Sequence, residues 1–130
     1  MATVSGPDLP TMLRQHVQGL HHLEAAVDLL IAHDRWLRRG EFLAACVIHD
    51  RHFLDDHPIA YIDWDLVVGF LAETSASSSE TRMLLIAAEL ADVATGWTIS
   101  ELLSGLDDTN TRLVLDAVAH HNGLHERGGR

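Results

Sequence analysis

Residues 47–57, with the sequence VIHDRHFLDDH, combine three histidines and three aspartates within eleven positions. Imidazole and carboxylate groups are ligands for divalent transition metals, and a metal held by them can activate a bound water for hydrolysis. The adjacent pair His49 and Asp50 is the sharpest pattern, although such a site needs further ligands from elsewhere in the chain. The structural interpretation is a polar helix end, where a protonated histidine favours the helix dipole and aspartates begin the next turn. We favour this interpretation because the pair has no convincing third and fourth ligand in the sequence.

Two other groups of polar residues have spacings that could bind a metal. His21, Glu24 and Asp28 are three and four residues apart, which places them along one side of a helix, within reach of His49 if the helices are neighbours. The same spacing describes an ordinary solvated helix face, which is the interpretation we favour. Near the carboxyl end, His121, His125 and Glu126 could bind added nickel or zinc weakly.

Cys46 lies three residues before His49, so a thiolate–imidazole pair is conceivable if one helix carries both side chains. Its neighbours in sequence are Ala44, Ala45, Val47 and Ile48. Such surroundings are typical of a small buried hydrophobic side chain with an unperturbed thiol. We therefore predict no catalytic nucleophile and no cofactor-binding residue.

The composition excludes some classes of partner. The 130 residues have a formal charge of −10 at pH 7, with nine arginines and no lysine. Binding to nucleic acid or to an anionic membrane depends on basic residues that neutralise phosphates, so neither partner is expected. The single cysteine fits a reducing compartment, and the first ten residues lack a secretory signal pattern. These features predict a cytoplasmic protein.

Hydrophobic spacing predicts an all-α single domain, a compact bundle of five to seven helices. The domain is expected to span residues 13–123, with a flexible lead-in at 1–12 and a flexible tail at 124–130. The first helix should run from Leu13 to about His33, either dented or divided at Gly19, and a short helix should follow from Glu41 to about Asp50. Further helices are predicted at 64–73, from Ser78 or Ser79 to about Gly96, from Thr98 or Ser100 to Leu106, and from Asp107 or Asp108 to His121. No strand of useful length is predicted, and AYIDW is the nearest candidate.

Two features could serve binding. Residues 90–105 have the outline of a helix-turn-helix, but the second helix offers Glu101 where a DNA-binding protein needs basic or amide side chains. An ordinary corner between two helices is the better interpretation. Trp36, Trp64 and Trp97 could anchor a partner or fill the core, and the helix pattern places Trp64 in the core.

The segment LAACVIHDRHF resembles the core of the HD phosphohydrolase superfamily, an all-α family with a metal-binding His-Asp pair. The resemblance implies that His49 and Asp50 bind a divalent metal together with the upstream His21. It also implies a downstream aspartate, for which Asp107, Asp108 or Asp116 could serve, and the cleavage of phosphate esters. The family often has a small residue such as glycine after the pair, whereas this chain has Arg51 and His52.

A second resemblance covers about residues 20–123. YIDWDLVVGFL, ETRMLLIAAELADVATGW and LLSGLDDTNTRLVLDAVAHHNG are similar to small uncharacterised helical proteins of actinobacterial type. This resemblance implies an all-α cytoplasmic protein and implies no activity.

Together these observations predict a non-enzymatic, acidic helical module that binds another protein or regulates it, with a second copy of the chain as the expected partner. The alternative is a metal-dependent phosphohydrolase of HD type, with His21, His49 and Asp50 as metal ligands.

Overall fold

The computed structural model describes residues 7–124, which form a mainly helical fold with one small sheet. The α-helices are α1 (Leu9–His16), α2 (His21–His33), α3 (Gly40–Cys46), α4 (Val67–Ala72), α5 (Ser78–Leu90), α6 (Ile99–Leu103) and α7 (Asp108–His121). Short 3-10 helices, Trp36–Arg38 and Trp64–Leu66, precede α3 and α4. Residues 1–6 of the predicted lead-in, and residues 125–130 of the predicted tail with His125 and Glu126, lie outside the described range.

Helix α2 lies at the centre of the fold and packs against both α5 and α7. Its inner face carries Ala25, Ala26 and Leu30, which are completely buried. Small alanine side chains let neighbouring helices approach closely, while the leucines fill the remaining space. The predicted helical core is therefore confirmed.

Within residues 7–124, none of the helices combines the length and the apolar character needed to cross a membrane.

The predicted first helix is divided into α1 and α2 at Gly19. Gly19 has a backbone φ of +91°, which a residue with a side chain rarely adopts, so the chain turns here at little cost. Helix α1 begins at Leu9, earlier than Leu13, because the Asp8 carboxylate caps it by accepting a hydrogen bond of 3.0 Å from the Thr11 backbone N–H. Of the two alternatives for Gly19, the division into two helices is correct.

Capping residues fix the starts of the later helices. Ser77 caps α5 in a reciprocal pair with Glu80, one residue before the predicted position, and Thr98 caps α6 in the same way with Glu101. The Asp107 carboxylate caps α7. That helix ends at His121, as predicted, and Gly123 follows with a φ of +76°.

The all-α prediction is wrong for residues 47–62, which form a β-hairpin. Helix α3 ends at Cys46, and strands β1 (Val47–Arg51) and β2 (Pro58–Ile62) pair in antiparallel register from Val47–Ile62 to Arg51–Pro58. The predicted helix from Glu41 to Asp50 therefore stops four residues early. The β-branched side chains of Val47, Ile48 and Ile62 favour strands, and the paired residues Val47 and Ile62 pack into the core.

The hairpin loop, residues 52–57, is closed by backbone hydrogen bonds. The His52 N–H donates to the His57 carbonyl, and the Asp56 N–H donates to the His52 carbonyl, each over 2.9 Å. Asp56 has a φ of +60°, a left-handed conformation that aspartate tolerates better than most residues. The polar residues that predicted a helix end instead form the connection between two strands.

Candidate functional site

The structure places the three predicted metal ligands on two elements, β1 and α2. His49 and Asp50 lie in β1 with exposed side chains, and the Asp50 carboxylate accepts a hydrogen bond of 2.8 Å from the Arg51 backbone N–H. His21 is the exposed first residue of α2, and its ring centroid lies 6.3 Å from that of His120. Metal binding by His21, His49 and Asp50 stays a prediction.

Three other residues of the hairpin do come together. Within residues 7–124, the one group of three histidine, cysteine or acidic side chains whose ligand atoms all lie within 4.8 Å is His52, Asp55 and His57. We call this group the hairpin triad. His52 Nδ1 lies 3.5 Å from Asp55 Oδ1, and His57 Nδ1 forms a hydrogen bond with the same oxygen. The two imidazole rings stack with centroids 4.9 Å apart and planes inclined by 13°. The side chains converge on one point at the surface.

The hydrogen bond with His57 holds the pKa of the Asp55 carboxyl below its usual value. A carboxylate that stays ionised is available to a cation. The sequence pattern did not single out this group, because the predicted helix ends near Asp50 and the polar residues after it were interpreted as an ordinary turn. The available signal was the polar turn between β-branched runs, which is typical of a hairpin.

A second polar cluster joins α1, α2 and α7. His120 lies between two carboxylates, with Nε2 3.0 Å from Glu24 Oε1 and Nδ1 3.3 Å from Asp28 Oδ2. Asp28 also pairs with Arg14 over 2.9 Å, and the second oxygen of Glu24 accepts a hydrogen bond of 2.8 Å from the Gly19 backbone N–H. The polar face predicted from His21, Glu24 and Asp28 therefore includes helix-to-helix contacts. This cluster fixes the turn between α1 and α2.

Replacing Glu24 by alanine is expected to lower the free energy of unfolding by about 1–3 kcal/mol, because the Gly19 N–H and His120 both lose a partner. The pKa of Glu24 is lowered, mainly by the hydrogen bond from Gly19. The ionised Glu24 carboxylate therefore stabilises the folded chain fully above pH 4.5, the ordinary pKa of glutamate. This stabilisation is lost as pH falls through the lower pKa that Glu24 has in the folded chain. Urea unfolding between pH 7 and pH 3 measures both effects.

Glu73→Ala, at an exposed position, is the control and should change the free energy of unfolding by less than about 0.5 kcal/mol. Equal losses in the two variants would contradict the prediction.

An apolar groove lies between α5, α6 and α7, and we call it the α5–α7 groove. It encloses about 300 Å³, with Leu90, Leu102 and Val114 among its lining residues. Four lining residues are exposed: Ile99 (72%), Leu115 (61%), Val118 (45%) and Leu103 (44%). The helical spacing predicted α6 and α7 but did not predict the exposure of Ile99, Leu103 and Val118. The missed signal is a second apolar stripe on α7, with Leu115 and Val118 three residues apart beside the buried Val114 and Ala117.

The other hypotheses from the sequence concern Cys46, residues 90–105 and the tryptophans. Cys46 is buried at the end of α3 whereas His49 is exposed on β1, so the assumption that they share a helix is wrong. The predicted second helix of a helix-turn-helix, α6, has only five residues. Trp36 and Trp64 are buried, as predicted for Trp64, and Trp97 is 41% exposed.

No protein-family model, no curated protein and no solved structure matches this chain. The resemblances to HD phosphohydrolases and to small actinobacterial-type proteins stay predictions.

Proposed function

We propose that this protein is a non-enzymatic interaction module that forms a homodimer through the α5–α7 groove. The observation that carries the proposal is the exposure of Ile99, Leu103, Leu115 and Val118 around one apolar recess. Single exposed hydrophobic residues are common on protein surfaces, but a contiguous group is typical of an interaction site.

The charge of the groove supports an apolar occupant. Of the twelve lining residues, Glu89 alone carries a formal charge at pH 7 with histidine neutral, although the whole chain carries −10. A strongly basic partner would gain little attraction from this lining. The occupant should therefore be an apolar helix face with few charges.

A second copy of the chain provides such a face. Ile99 and Leu115 are exposed on α6 and α7, two of the three helices that border the recess, so the same region offers both exposed apolar side chains and a cavity. A two-fold axis requires a self-complementary surface, and this combination satisfies that requirement. Two acidic copies repel each other over most of their surface, which favours contact where the charge density is low.

Light scattering during size-exclusion chromatography tests the proposal. At tens of micromolar, the wild-type chain should have twice the chain mass of 14.3 kDa. Leu115→Glu and Val118→Glu should each give the mass of one chain, because a charge in a closed apolar interface is costly. Both side chains are exposed in the single chain, so the far-ultraviolet circular dichroism should stay unchanged.

Leu54→Glu is the matched control, since Leu54 is 76% exposed at the hairpin loop and lies away from the groove lining. This variant should remain a dimer. A monomeric wild-type chain would overturn the proposal, and so would a dimer that survives Leu115→Glu but is lost in Leu54→Glu.

A further inference from the structure

We infer that the hairpin triad, His52, Asp55 and His57, is a binding site for a divalent transition metal, with zinc as the representative ion. This inference does not depend on the proposed homodimer, because none of the three residues lines the α5–α7 groove. It also differs from the site predicted at His21, His49 and Asp50.

The ligand types fit this class of metal. Two imidazole nitrogens and one carboxylate oxygen form a donor set that zinc accepts, and imidazole also suits nickel and copper. Three protein ligands leave a fourth position of a tetrahedral ion for water or another ligand. Calcium and magnesium prefer sites built from oxygen ligands alone, so this group selects against them.

The distances also fit. Ligand atoms about 2.0–2.1 Å from a tetrahedral zinc ion lie roughly 3.3 Å from one another. His52 Nδ1 and Asp55 Oδ1 are 3.5 Å apart, close to this value. His57 Nδ1 would bind zinc in the tautomer that carries its proton on Nε2, and its hydrogen bond to Asp55 would then give way to the ion.

The hairpin holds the ligands in position before any ion binds. The His52–His57 pair closes the loop through its backbone hydrogen bond of 2.9 Å, and the Arg51 guanidinium donates a hydrogen bond of 2.7 Å to the Asp56 carbonyl. The Leu54 N–H donates to His52 Nδ1 over 3.1 Å, and this weaker contact would be exchanged for the metal. Because strands fix both ends of the loop, binding requires little ordering of the chain.

The local charge favours a cation. Within residues 50–57, Asp50, Asp55 and Asp56 are acidic, and Arg51 is the single arginine or lysine. This balance leaves the triad in an acidic region of an acidic protein. Coulombic attraction therefore adds to the ligand bonds.

Calorimetric titration of the full chain, without an affinity tag, with zinc chloride at pH 7.5 tests the inference. One zinc ion should bind per chain. His52→Ala, His57→Ala and Asp55→Asn should each weaken binding more than about tenfold, because the loss of a direct ligand should cost at least as much as the loss of a supporting contact.

Asp56→Asn is the matched control for Asp55→Asn, since it removes a carboxylate from the neighbouring position without touching the triad. This variant should change zinc affinity less than about threefold, as expected from screened surface charge alone. In the wild-type chain, nuclear magnetic resonance of the imidazole nitrogens should show zinc-dependent shifts at His52 and His57. Absence of zinc binding would overturn the inference, and so would binding that His49→Ala abolishes while His57→Ala leaves it intact.

Discussion

Replacing Trp36 by alanine is expected to lower the free energy of unfolding by about 3–5 kcal/mol. The side chain is completely buried, and its ring lies 5.8 Å from the rings of both Phe42 and Phe70. Its indole N–H donates a hydrogen bond of 2.9 Å to the Glu80 carbonyl, and the Arg39 guanidinium lies 4.6 Å from the ring centre. The truncation thus leaves a cavity at the place where α3, α4 and the start of α5 meet.

Two further variants separate the causes. Trp36→Phe keeps an aromatic ring but leaves the Glu80 carbonyl without its donor, so we expect a smaller loss of about 1–3 kcal/mol. Trp97→Ala, at a residue that is 41% exposed, should lose less than either variant. Guanidinium unfolding followed by circular dichroism measures all three. Similar losses for Trp36→Ala and Trp97→Ala would contradict the burial of Trp36.

The thiol of Cys46 is expected to react with a thiol reagent such as dithionitrobenzoate more than about 100-fold more slowly in the folded chain than in the unfolded chain. Burial raises its pKa from 9.0 to about 11, with a smaller contribution from the negative charge of Asp63. A rise of this size reduces the thiolate, the reactive form, by about 100-fold near neutral pH. The side chain is also completely buried, which slows the reaction further.

The same pKa difference predicts a pH dependence of stability. Because the pKa of Cys46 is higher in the folded chain, the protonated thiol stabilises the folded state. This contribution to the free energy of unfolding is complete below pH 9.0 and is lost as pH rises towards about 11. Cys46→Ser should not react with the reagent in either state, since Cys46 is the single cysteine of the chain. Rates within tenfold of each other in the folded and unfolded wild-type chain would show that the thiol is accessible.

Local signals in the sequence predicted the starts of α5, α6 and α7 to within one residue, whereas α5 ends at Leu90 rather than near Gly96 and α6 at Leu103 rather than at Leu106. Thr98 and Asp107 were each one of two predicted starts, because their side chains can accept hydrogen bonds from the first free N–H groups of a helix, and both are the caps in the structure. The end of the last helix at His121 was predicted correctly, just before Gly123, since glycine adopts the positive φ that ends a helix readily. These features depend on residues three or four positions apart, so the sequence contains the whole interaction.

The hairpin was not predicted, because the short apolar run of Val47 and Ile48 fits a buried helix and a strand equally well. Val47 and Ile48 pair with Ile62 and Tyr61, which lie 15 and 13 residues further along the chain, and the second strand is also stabilised by packing against α1. The stacked rings of His16 and Tyr61, with centroids 4.7 Å apart, belong to this long-range contact. Tertiary packing therefore decided the conformation where local preference was balanced.

The sequence by itself determined a helical core, the starts of the last three helices to within one residue, and the acidic character of the chain, because these follow from local spacing and composition. Only the tertiary structure decided which polar and apolar side chains meet. It brought His52, Asp55 and His57 together through the reversal of the chain at the hairpin. It also left Leu115 and Val118 exposed, because α7 turns Val114 and Ala117 towards the core and no helix among residues 7–124 covers its second apolar stripe. Side-chain convergence depends on the directions in which elements pack, and the spacing of residues along one element does not specify those directions.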